Sequence, residues 1–271
     1  MRRHIDLLCC GLVLALHAVA QDGSTAKPPA TEQEQRLQQV VDEMIVLVEK
    51  HSGLAFARRP KVRAVKAKEW REIVKREGGL EKARDVFEAS VRMQGMYLVA
   101  TDEVVISPLG VGPLLQAIDE DAPRHVREAV AQQKATVAHE LVHALQEQHF
   151  ALPSRLFKTD DKDVVELVRL KTLIEGHAVV VEELIAEHEL GIEDYMQRGP
   201  YGLGTEPSYV TGRRYFLHLL RTGGIKAVLE SLAKPPTWVA LLELANKELP
   251  PEPPPVPAEA GEPKAGGGAK R

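Results

Sequence analysis

The residues with the clearest chemistry are His139, Glu140 and His143, in the run His139-Glu140-Leu141-Val142-His143. On a helix, residues four apart lie on one face about one turn from each other, so both imidazoles project together. Two ring nitrogens in that arrangement can hold one zinc ion at about 2.0–2.1 Å. Glu140 sits about 100° further round the helix, where its carboxylate can take a proton from water at such an ion without being a ligand itself. A catalytic zinc site normally has three protein ligands, so another element must supply the third.

Two residues compete for that place. Glu175, in Ile174-Glu175-Gly176-His177-Ala178, is a carboxylate in an apolar stretch. Such a group is costly to bury unless it is paired or bound to metal. Gly176 beside it gives room for close helix approach; an ion pair with an arginine between helices is the alternative. His149 completes the spacing 1, 5, 11 with His139 and His143. That spacing brings a third histidine to the metal only where a glycine at position 8 breaks the helix, and here position 8 is Gln146. In a continuing helix His149 points about 240° away from His143 and serves to cap the helix or bond a neighbouring loop. His177 is a third choice, but it is two residues from Glu175 and cannot share its direction. Glu182, seven residues after Glu175, lies on the same face and can orient a ligand histidine through its second nitrogen; a solvated charge in Glu182-Glu183 is the preferred reading. An oxyanion formed in acyl chemistry needs a hydrogen-bond donor. Tyr209, Arg213, Tyr215 and His218 fall on one later helix, and Tyr209 is the candidate, set against its plainer role as a core aromatic.

The elements that must position these groups follow from periodicity. Residues 34–51 carry Leu37, Val40, Val41, Met44, Ile45 and Val48 at helical spacing. A strand is expected over 61–67, helices near 68–77 and 80–93, and two strands over 95–107 turning at Thr101-Asp102-Glu103. An edge strand beside a metal helix can bind an extended peptide by strand addition; an ordinary hairpin is the alternative. Residues 108–113 read as a loop, 123–151 as the long metal helix stopped at Leu152-Pro153, and 154–162 as a polar surface loop. Residues 163–190 form a second long helix, apolar over most of its circumference and therefore central. The glycine-rich run 199–204 lacks the lysine and helix of a phosphate loop and has no ligand role. A helix from about 205 to 221 ends at Gly223-Gly224, and two shorter ones follow near 224–233 and 237–248.

Composition sets the frame. The chain has 271 residues, 44% of them hydrophobic but only 4% aromatic, which favours helices packed on helices with a minor sheet. The expected fold class is mainly α with a small β-sheet. A net charge of −4 without a dense basic stripe argues against nucleic acid as a partner. Arg2, Arg3 and His4 precede an apolar run over 7–16 and the small-x-small site Ala18-Val19-Ala20, the pattern of a signal peptide over 1–20 cleaved near Ala20. The apolar run is too short to span a bilayer, so no stable membrane span is expected after cleavage, and the protein is expected to be exported. An uncleaved anchor is the alternative. Cys9 and Cys10 both lie inside the signal, so the metal ligands must be His, Asp or Glu. A flexible leader over 21–33, one domain over 34–249 and a disordered Pro/Gly-rich tail over 250–271 complete the organisation. Oligomeric state is not legible.

Several segments in this order resemble a known group: His139-Glu140-x-x-His143-Ala144-Leu145-Gln146-x-Gln148-His149-Phe150, then Glu175-Gly176-x-Ala178, then Tyr209-x-x-Gly212-x-x-Tyr215-Phe216 with Gly223-Gly224 and Pro235-Pro236. Together they are similar to exported bacterial zinc metallopeptidases of the gluzincin type, over roughly residues 95–240. The resemblance implies a zincin-like fold and Glu175, rather than His149, as third ligand. It implies hydrolysis of peptide or protein substrates, with Glu140 as the proton-transfer group. The group often has Asp or Glu where this chain has His177, and Ser/Thr-Thr-Glu-Gln where Thr237-Trp238-Val239-Ala240 follows the prolines. Those departures leave the two histidines and both glutamates untouched. A competing reading is an exported helical protein that binds zinc or a partner without turnover and has no need of Glu140; a third reading has no metal at all.

Overall fold

The structure, a computed structural model, describes residues 30–115, 122–198 and 207–251. The signal peptide over 1–20, most of the leader and the tail, the glycine-rich run 199–204 and the first residues of the helix expected from 205 lie outside the described residues. Chain order runs α1 (Ala30–Ser52), β1 (Lys61–Ala64), α2 (Ala67–Glu77), α3 (Ala83–Arg92), β2 (Gly95–Leu98), β3 (Glu103–Ile106), α4 (Pro108–Leu114), α5 (Arg124–Phe150), α6 (Leu152–Lys158), α7 (Val164–His188), α8 (Tyr195–Arg198), α9 (Pro207–Ala233) and α10 (Trp238–Ala245). Among the described residues the protein is mainly helical with one three-stranded sheet, as composition led us to expect. No helix among the described residues is long and apolar enough to cross a membrane.

Helix α7 occupies the middle. Its Ala178, Val181 and Ile185 join a core built with α1, β3 and the buried centre of α5, through Val41, Met44, Ile106, Leu141 and Leu145. Its Leu170, Leu173, Ile174 and Val180 join a second core with Phe216, Leu232 and Leu241 of α9 and α10. A helix apolar on nearly every side is one that must be covered on every side. At the α7–α9 crossing, Gly176 faces Gly212, and a Cβ on either would run into the other helix's backbone. The close approach expected at Gly176 is therefore to α9.

The sheet has order β1-β3-β2, with β1 parallel and β2 antiparallel to β3. Strand β2 is an edge of the sheet and packs beside α5. Asp102 closes the hairpin with φ +51, held by the Tyr97 hydroxyl at 2.7 Å and the Arg58 guanidinium at 2.6 Å.

Two segments expected as loops are helices. Residues 108–114 form α4: Pro108 opens it, and the Ser107 hydroxyl accepts from the Gly110 N–H at 3.0 Å. Four Gly and Pro residues in six obscured this cap. Helix α5 does stop at Leu152-Pro153, where Ala151 turns left-handed at φ +50. The chain then begins α6 instead of a polar loop, because Glu147 of α5 accepts from both the N–H and the hydroxyl of Ser154 at 2.8 and 2.5 Å. The cap comes from the preceding helix, where local sequence does not reveal it. Helix α1 starts at Ala30, a turn before the expected 34. In α9, the expected break appears at Gly224, whose φ of 64 and ψ of −167 are not helical.

Candidate metal centre

Helix α5 carries His139 and His143 in its buried middle, where Ala138, Leu141, Val142, Ala144 and Leu145 are buried as well. Their rings lie edge to face, centroids 4.7 Å apart. Across the α5–α7 interface, Glu175 brings its Oε2 to 3.4 Å from His139 Nε2 and 3.7 Å from His143 Nε2. These three residues form a cluster that could hold a metal ion, one ligand atom from each lying within 4.8 Å of the others. Ligands bonded to one tetrahedral ion at about 2.0–2.1 Å stand roughly 3.3 Å apart, close to the two Glu175 separations. Glu175 Oε2 is buried and makes no hydrogen bond among the described residues, a costly state for a carboxylate oxygen unless a cation meets it.

Electrostatics agree with that reading. Burial would raise the Glu175 carboxyl, but contact with His139 and the charges of His143 and His139 outweigh it and hold its pKa down to about 2. Burial would lower the His139 imidazole, and the charge of Glu182 with the contact to Glu175 outweighs it, raising His139 well above the usual histidine value. The carboxylates of Glu175 and Glu182 thus hold negative charge against buried histidine rings, where a cation would neutralise it.

Each histidine has a separate partner on its Nδ1. His139 Nδ1 is 2.9 Å from Glu182 Oε2, and Tyr195 donates its hydroxyl to Glu182 Oε1 at 2.5 Å. The solvated charge preferred for Glu182-Glu183 is not what the structure shows. Glu182 is 1% exposed beside the metal cluster, and Glu183 is buried in an ion pair with Arg213, Nε to Oε2 at 2.7 Å. The two carboxylates lie on a helix flanked on both sides, and their partners come from α5, α8 and α9. His143 Nδ1 is 3.1 Å from Gln146 Oε1.

Glu140 lines the same cleft. The backbone N–H of Tyr97, on the outer edge of β2, donates to Glu140 Oε2 at 2.8 Å. Burial raises the Glu140 carboxyl, against the opposing charges of His143 and His139. Glycine is required at 95 by this packing, since a Cβ there would meet Glu140 Cγ at 2.9 Å.

Of the remaining candidates, His149 stays on an unbroken α5, and its Nε2 reaches the Ala55 carbonyl at 2.8 Å. It bonds the neighbouring loop, as an uninterrupted helix through Gln146 requires. His177 turns away from the cluster, its Nδ1 3.1 Å from Gln146 Nε2, and burial pushes it down to about 3, with the charge of His143 adding to the effect. Tyr209 is buried and lines the cleft together with His139, His143 and Glu175. Arg213 is engaged by Glu183, and Tyr215 pairs with Ser231 at 2.7 Å. The cleft, about 140 Å³, is walled mainly by apolar side chains, including Met93, Met96, Leu156, Phe157 and Ile174, with Glu77 and Lys171 among its lining.

Gln146, Tyr195, Gly95 and the Tyr97 N–H were not assigned to the site from sequence. Gln146 carried a signal, since it lies three residues after His143 on the same face. Tyr195 carried none, because the turn after α7 brings it back.

No protein-family model matches this chain, and neither the curated proteins nor the solved structures contain a match.

Proposed function

We propose that this protein is an exported zinc-dependent peptidase with a zincin-like fold, its signal peptide removed near Ala20. The observation that carries the reading is the convergence of three elements on one cleft: two histidines and a glutamate whose mutual spacing suits a tetrahedral ion, with a second, non-ligating glutamate beside them. The resemblance to gluzincin-type metallopeptidases supports it. His139, His143 and Glu175 would hold the ion, and the nitrogen and oxygen donor set, without thiolate, suits zinc.

When bound, zinc supplies Lewis acidity, acidifying water and polarising a carbonyl oxygen. Glu140 takes the proton of the attacking water and passes it to the leaving amine. Its burial makes it a better proton acceptor than a solvated glutamate, and the Tyr97 N–H holds its direction. Strand β2 offers an outer edge along the cleft, so an extended peptide can pair with it and bring a carbonyl to Glu140. Tyr209 supplies the hydrogen-bond donor for the developing oxyanion. Apolar walls exclude water and receive an apolar side chain.

Metal content and hydrolysis of a broad peptide library test the reading in wild type, Glu140→Gln and Glu175→Ala. Wild type is expected to hold zinc and cleave. Glu140→Gln should keep zinc and lose about 10²–10⁴ in rate, while Glu175→Ala should lose the metal. Zinc retained by a wild type that cleaves nothing in the library makes the protein a metal binder without turnover. Full zinc retention in Glu175→Ala with loss in His149→Ala overturns the ligand assignment.

A further inference from the structure

We propose that Gln146 is a positioning residue that fixes the tautomer of His143, a role that rests on the metal reading of the cluster. The side chain is completely buried between α5 and α7. Its Nε2 lies 2.9 Å from the backbone carbonyl of Ile174 and 3.1 Å from His177 Nδ1, and its Oε1 lies 3.1 Å from His143 Nδ1. A carbonyl oxygen only accepts, so the amide atom facing Ile174 must be the NH₂ group; the flipped amide would set two acceptors against each other. The oxygen then faces His143, and an oxygen that only accepts requires the proton on Nδ1. In the neutral ring this leaves the lone pair on Nε2, the nitrogen directed at Glu175 Oε2. The tautomer able to ligate is selected by protein groups alone.

The second N–H of the Gln146 amide goes to His177 Nδ1, which places the His177 proton on Nε2. That nitrogen is buried with no hydrogen-bond partner among the described residues, its ring packed 5.5 Å from that of Phe216. A buried N–H left without an acceptor is unfavourable, so this arrangement needs another group to hold it. The holding group is the Ile174 carbonyl, one residue before Glu175. The backbone that delivers the third ligand therefore also sets the protonation of the second.

Histidine ¹⁵N spectra of the full chain read the tautomer directly, with the His143 signals assigned by their loss in His143→Asn. Wild type should show His143 protonated on Nδ1. Zinc affinity, measured with the metal alone against a chelating dye, should fall about 10–100-fold in Gln146→Leu. Unchanged affinity in Gln146→Leu, or a wild-type His143 protonated on Nε2, overturns the assignment. If Gln146→Leu does not fold, the wild-type spectrum decides. If wild type takes up no zinc, the peptidase reading fails, while the tautomer spectrum still judges Gln146.

Discussion

Helix α7 meets its two principal neighbours in opposite ways. Toward α5 it extends Glu175 and Glu182, long charged side chains that cross the interface to reach His139 and His143. Toward α9 it presents Gly176, which has no side chain and lies against the backbone at Gly212. The first face is spaced by chemistry and the second by contact. Each needs the other: carboxylates hold distances of 3–4 Å across an interface only if their own helix cannot shift, and α9 prevents that shift by pressing backbone on backbone. The comparison teaches that stability and metal affinity should be separable by mutation on this single helix.

The most severe break is expected on the glycine face. Helix propensity alone favours any other non-proline residue over glycine by up to about 1 kcal/mol. At position 212 the added Cβ meets the Thr172 carbonyl and the Gly176 backbone, neither of which can rotate away. Gly212→Val should therefore destabilise by about 3 kcal/mol or more, read as a lower urea midpoint. A variant as stable as wild type would mean that α7 and α9 are not held by close packing at this point.

On the charged face the effect should appear in binding. Glu182→Gln keeps a hydrogen-bond acceptor for His139 Nδ1 but removes the charge that Tyr195 and His139 share. Zinc affinity should drop about 10–100-fold, equivalent to roughly 1.4–2.7 kcal/mol. The urea midpoint should move less than in Gly212→Val. If Glu182→Gln unfolds as readily as Gly212→Val while keeping its zinc affinity, the division between the two faces is wrong.

Sequence picked out the candidate ligands more fully than their surroundings, for a physical reason. His139 and His143 obey a spacing rule internal to one helix, Glu175 stands out as a carboxylate in an apolar run, and Gly176 marks a close approach without saying to what. The all-round apolar character of residues 163–190 announced a central helix. By contrast, whether Glu182 is solvated depends on whether α8 folds back over it, and no periodicity encodes that. Helix α6 is capped by a residue of α5, and Gly95 is glycine because Glu140 lies against it. These are relations between elements, and they become visible only when the elements have been assembled. Gln146 is the intermediate case: it was read only as the missing glycine of another motif, although its position one turn after His143 placed it beside the ring.

A third contact of α7 sharpens the comparison from the weak side. Just past its end, Glu189 accepts from Lys50 at 2.7 Å and from His51 at 2.8 Å, tying α7 to α1 near the surface. The Lys50 hydrogen bond, and then that of His51, hold the Glu189 carboxyl below its ordinary 4.5 despite some burial. A carboxyl with a lowered folded value stabilises above the unfolded value and loses that stabilisation as pH falls through the folded one. Glu189→Gln should therefore be less stable than wild type by about 0.2–1 kcal/mol near neutral pH, a surface-pair magnitude. The gap should close below the folded value of Glu189 and shrink in high salt. Urea unfolding of both proteins across acid pH measures it. A gap that survives full protonation of the carboxyl would show that Glu189 acts through packing, and that α7 has a third structural face instead of a surface tether.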